Sequence, residues 1–140
     1  MTSASTHTGA DAPLRTRRPT NRLFSILIGL SALAVLLQGL WAGLFVEEGQ
    51  DYKDSWVKVH ALGGEVAIGL AALATIVALV KLRSRLDVVV ASIVFTLLLV
   101  LEAYLGGLIG DHSALTAIHF PLAMALMALA VWLPIRASRH

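Results

Sequence analysis

The sequence contains no cysteine. That excludes a disulfide, a CxxCH attachment of c-type haem, a thiolate metal site and a cysteine nucleophile. It also has no glycine-rich phosphate-binding loop and no HExxH pair. Charge is scarce: 14% of the 140 residues are Asp, Glu, Lys or Arg. An ordinary soluble domain carries about a quarter.

What fills the chain instead is apolar, at 57% of all residues. Four apolar runs, at approximately 23–46, 56–80, 88–109 and 113–135, are each long enough to cross a hydrocarbon core of about 30 Å. The chain therefore reads as an integral membrane protein. Arg-rich residues 15–22 precede an Ala-Leu-Ala at 32–34, the parts of a secretory signal. The run continues to Val46, however, well past an h-region of about 7–15 residues. An uncleaved first membrane helix is expected.

Basic residues set the orientation. Arg15, Arg17, Arg18 and Arg22 precede the first run, Lys81, Arg83 and Arg85 separate the second from the third, and Arg136 and Arg139 follow the fourth. The remaining two connections are acidic or nearly uncharged. Positive residues favour the cytoplasmic side, so both termini are expected there, in a multi-pass protein of the cell (cytoplasmic) membrane. Topology and contact with anionic lipid account for the basic isoelectric point, and no nucleic-acid partner is implied. Residues 1–20, polar and rich in Ser, Thr and Pro, read as a disordered cytoplasmic tail, and 137–140 as a short second tail. His7 and His140 fall in these ends and receive no role.

Short connections make successive helices antiparallel neighbours. The expected fold is all-α, an up-down-up-down four-helix transmembrane bundle over residues 21–136. The second and fourth helices then lie diagonally across it. Glycines in the first three helices allow close backbone approach. Trp41, Tyr52, Trp56 and Trp132 fall near expected membrane interfaces.

Two histidines stand out. His60 lies four residues into the second helix and His119 six into the fourth, so both sit roughly 6–9 Å below the outer boundary. A lone histidine near an interface is usually just a tolerated side chain. Two at matched depth on diagonal helices suit the two axial positions of a haem b iron. Gly64, Ala67 and Ala71 fall on the face near His60, with Gly63 beside them, and form a bare surface for a flat ligand. Around His119, Thr116, Leu122, Ala123 and Leu126 make a mostly apolar face. His112, in the outer turn, reads as interfacial or loop-capping.

Deeper in the membrane, Gln38, Glu65 and Glu102 each lie eight or nine residues from an outer end, roughly 12–14 Å. They are expected to meet in one polar layer. That layer can handle protons or contact a quinone headgroup, or it can simply join helices by hydrogen bonds. Tyr104 reads as packing.

The segments "VHALGGEVAIGLAALATIVALV" and "EAYLGGLIGDHSALTAIHFPLAMALMALAVWL" resemble one four-helix half of the haem A synthase family. Uncharacterised single-bundle membrane proteins look similar. The shared features are a histidine early in the second helix (His60), an LGG end to the third (Gly106 and Gly107) and an H-x-x-x-A start to the fourth (His119). The likeness covers about residues 56–133. The family has two such halves, whereas this chain has room for one. A family glutamate three residues before the first histidine is replaced by Val57, and the arginine after it by Ala61. The outer-loop cysteines are missing too. The resemblance implies haem b held by His60 and His119; helical rotation is what sets Gly63, Gly64, Ala67 and Ala123 alongside. It does not imply haem A synthesis.

With both axial positions filled, electron transfer rather than catalysis is the expected activity, and a quinone or a respiratory complex is the expected partner. Two other readings stand beside it. One is a non-catalytic accessory subunit of a larger respiratory membrane complex. The other is a small homo-oligomeric proton or cation carrier using Glu65 and Glu102.

Overall fold

The computed structural model describes residues 21–47 and 55–138. The expectations for the tail 1–20, His7, Tyr52 and His140 lie outside the described residues. Four helices follow one another: α1 (Arg22–Glu47), α2 (Trp56–Lys81), α3 (Leu86–Leu108) and α4 (Thr116–Ser138). A turn of 3₁₀ helix, Ser113–Leu115, leads into α4. Among the described residues there is no strand. By length and composition, all four helices can cross a membrane.

Local chemistry sets the ends. Asn21 caps α1, its side-chain oxygen accepting from Phe24 N–H at 3.1 Å. The third helix starts earlier than its apolar run and the fourth ends later, because charge holds both ends. Arg136 pairs with Asp87 at 2.7 Å. Arg85 also pairs with Asp87 and donates to the Arg136 carbonyl at 3.0 Å. Pro121 and Pro134 lie inside α4 without ending it. Within lipid, neighbouring helices and local adjustment make such prolines tolerable.

Each helix packs against its neighbours in sequence, and α1 closes the ring against α4, leaving α1/α3 and α2/α4 as diagonals. The neighbours run antiparallel. On α1 and α2, Ser31 meets Ala67 while the later Gln38 meets the earlier His60. On α3 and α4, Asp87 meets Arg136 while Glu102 meets His119. The fold is the up-down-up-down bundle that the short connections imply.

Its core is small inside and large outside. The buried stripe of α2 is Gly63, Ala67, Ala71, Ala74 and Ala78. Facing it are Phe24, Ile28, Phe95 and Leu126, all fully or almost fully buried. Leu36, Leu62, Leu97 and Met124 point outward. Since lipid tails are as apolar as leucine, close backbone packing and hydrogen bonds must hold the helices together. Ser31, fully buried, donates to the Ala67 carbonyl at 2.9 Å. Thr75 donates to the Ser92 carbonyl at 3.1 Å, and its hydroxyl lies 2.9 Å from that of Thr96.

The closest approach is at Gly63. A Cβ added there would run into the Trp41 ring and the Gln38 amide. Gly63→Ala should therefore cost about 1–3 kcal/mol. Thermal unfolding in detergent should show the loss, and Trp41→Ala in the same chain should recover part of it.

Candidate functional site

The inward stripe of every helix changes character toward one end of the bundle. On α1, Phe24, Ile28, Ser31 and Val35 lead to Gln38. On α2, the alanine stripe runs back through Gly63 to His60. On α3, Val88, Ser92, Phe95 and Leu99 lead to Glu102, and on α4, Leu133, Ala130 and Leu126 lead back to His119. The four polar side chains thus share the end at which α1 and α3 finish and α2 and α4 begin.

They are grouped as two dyads, each an acceptor-bearing residue with a histidine. In the α1/α2 dyad, His60 Nδ1 lies 3.2 Å from the backbone carbonyl oxygen of Gln38. In the amide orientation that matches donors to acceptors, Gln38 clasps the α2 backbone, its nitrogen donating to the His60 carbonyl at 2.7 Å and its oxygen accepting from Gly64 N–H at 3.1 Å. The same amide nitrogen is 3.1 Å from Nδ1, so His60 is held by Gln38 in either tautomer. Glycine at 63 and 64 exposes the backbone that this clasp requires.

In the α3/α4 dyad, His119 Nδ1 lies 3.0 Å from Glu102 Oε1, with both side chains nearly buried at 12% and 11% exposure. The approach is off the line of a well-directed hydrogen bond, and neither Glu102 oxygen has one. This is a close electrostatic contact with unused hydrogen-bonding capacity. The His119 ring rests on Gly106, where an added Cβ would stand 3.0 Å from Cε1.

Three expectations need correction. Gly63, Gly64 and Ala67 do not form a bare surface for a flat ligand. Trp41 and Gln38 fill the space at Gly63, Gly64 meets the Gln38 amide, and Ala67 accepts from Ser31. Secondly, Gln38, Glu65 and Glu102 form no common layer. Gln38 serves α2, Glu102 faces α4, and Glu65 is exposed on the outside of α2, with no hydrogen bond or ion pair among the described residues. The shared depth is real, but helical rotation sends Glu65 the other way. Thirdly, Gln38 and Glu102 belong with the histidines, a pairing that depth alone does not reveal. The signal available was rotational, since each lies on its helix's inward stripe.

Of the other residues singled out, Ala123 is half-buried on the His119 side of α4, while Tyr104 and His112 are exposed. An outward groove of about 400 Å³ between α1 and α2 is lined by apolar residues such as Leu33, Leu37 and Leu62, with Trp41 and Gly63 at its side. None of the polar dyad residues lines it.

Glu102→Ala should remove the carboxyl that stands 3.0 Å from His119 Nδ1 and leave a void beside the buried ring, at a cost of about 1–3 kcal/mol. Glu102→Gln keeps a carbonyl oxygen there and should retain most of the stability. Thermal unfolding of the two variants side by side reads the difference. No protein-family model, curated protein or solved structure matches the chain.

Proposed function

We propose that this chain is a small cytochrome-like protein of the cytoplasmic membrane. It holds one haem b near the outer face through His60 and His119, and passes single electrons to or from a quinone or respiratory partner. The observation that carries the reading is the pair of dyads. Two imidazoles on diagonal helices reach the same end of the bundle, and each has its Nδ1 against an acceptor from the adjacent helix. A partner at one ring nitrogen fixes the ring's orientation and strengthens the other as a ligand. Gln38 and Glu102 are the orienting groups in this arrangement.

Two imidazoles match the number of ligands this cofactor asks of a protein, and room for its macrocycle would require Trp41 and Gln38 to move from the space at Gly63. A haem iron receives four nitrogens from its macrocycle and asks the protein for only two. No cluster of three or more His, Asp or Glu able to hold a metal ion forms among the described residues, and this cofactor needs none. A bound haem b would supply a one-electron couple at its iron. The chain's own contributions are the two imidazoles, their orientation and a largely apolar surrounding that keeps water out. The likeness to half of a haem A synthase supports the same pair of residues. Arg22, Lys81, Arg83, Arg85 and Arg136 all lie at the end opposite the dyads, which supports an outer location for the histidines.

Protein purified in detergent from haem-replete cells should show a Soret band and sharp reduced α and β bands. His60→Ala and His119→Ala should each abolish them. A colourless preparation overturns the proposal and leaves a non-catalytic accessory role in a larger membrane complex as the better reading.

A further inference from the structure

Glu65 sits in an unusual place. It lies about 14 Å along α2 from Trp56, close to the middle of a helix that can span the membrane. Its direction is nearly opposite the buried stripe of Gly63, Ala67, Ala71, Ala74 and Ala78, by the rotation of about 100° per residue. It is exposed and, among the described residues, has no hydrogen bond or ion pair. A bundle of this sequence in hydrocarbon thus turns a carboxyl outward at mid-depth, where an ionisable side chain is costly without a partner.

The surface around it is shaped for a close neighbour. One turn before Glu65 is Ala61 and one turn after it is Gly69, both exposed, with Ala72 a further turn along the same face. Nothing of the chain itself lies within 4 Å of a Cβ added at Gly69. Small residues at this four-residue spacing let another helix's backbone come near enough for a short side chain to bond across the gap.

We propose that this face of α2, centred on Glu65 between Ala61 and Gly69, is the contact between two copies of this chain packed in parallel about a two-fold axis. The chemistry favours a second copy over a different partner. A neutral carboxyl has both a donor and an acceptor, so two of them related by a two-fold axis satisfy each other reciprocally. Copies inserted with the same topology put each residue at the depth of its own counterpart. Glu65 therefore meets Glu65, and no complementary basic residue is required. The contact leaves α1, α3 and α4 in place. It is independent of haem binding, since His60 points to the bundle interior from another face of α2.

The absence of cysteine makes the test direct. Single-cysteine variants Ala61→Cys and Gly69→Cys, in the full chain in its native membrane, should form disulfide-linked dimers on mild oxidation. Val90→Cys, on the outer face of α3, should not. In detergent, sedimentation of the cysteine-free chain should show a dimer. Glu65→Leu should weaken that dimer roughly tenfold, whereas Glu65→Gln, which keeps a donor and an acceptor, should weaken it far less. A monomeric wild-type chain overturns the proposal, as does equal cross-linking at Val90→Cys or dimerisation indifferent to Glu65→Leu. Cross-linking of Ala61→Cys only to some other membrane protein also overturns it, and assigns the face to that partner. None of these readouts depends on the absorption spectrum, so failure here is distinct from failure of the haem reading.

Discussion

Hydrocarbon gives a polar side chain no solvent to fall back on, and this bundle is arranged around that condition. Several of the polar side chains inside it find their counterparts on a neighbouring helix. Ser31 uses the Ala67 carbonyl, Thr75 the Ser92 carbonyl and Gln38 the peptide groups at His60 and Gly64. These contacts fix the depth of one helix against the next, because apolar packing alone tolerates sliding. His60 and His119 inherit their positions from that fixed register.

The same condition explains why the buried stripe of α2 is made of small residues. Burying leucine gains little when the alternative is a lipid tail, so alanine lines this seam and lets Phe24, Ile28, Phe95 and Leu126 of the other helices fill the interior. Close approach then brings backbone carbonyls within reach of hydroxyls and amides. Gly63 is the extreme case, where the Trp41 ring occupies the place of a side chain.

The sequence makes the architecture legible, and the site only in part. Uninterrupted apolar runs and short connections imply four antiparallel helices, and the diagonal placement of His60 and His119 follows from topology. Which face each residue occupies is harder to read, because in a membrane helix the outside is as apolar as the inside. Depth put Gln38, Glu65 and Glu102 together, but rotation about the axis separates them. Glycine next to His60 suggested room for a ligand, whereas the room is taken by the neighbouring helix. Side-chain identity cannot say what fills a gap; only the partner helix can.

The hydrogen bonds also group the helices into two pairs. Ser31 and Gln38 lie two turns apart on α1 and both contact α2. His119 and Glu102 belong to the other pair, joined again at its far end by Asp87 and Arg136. Thr75 ties the two pairs together in the half away from the histidines. The side-chain hydrogen bonds that join the pairs thus lie away from the imidazoles, while at the imidazole end each histidine faces the helix of its own pair.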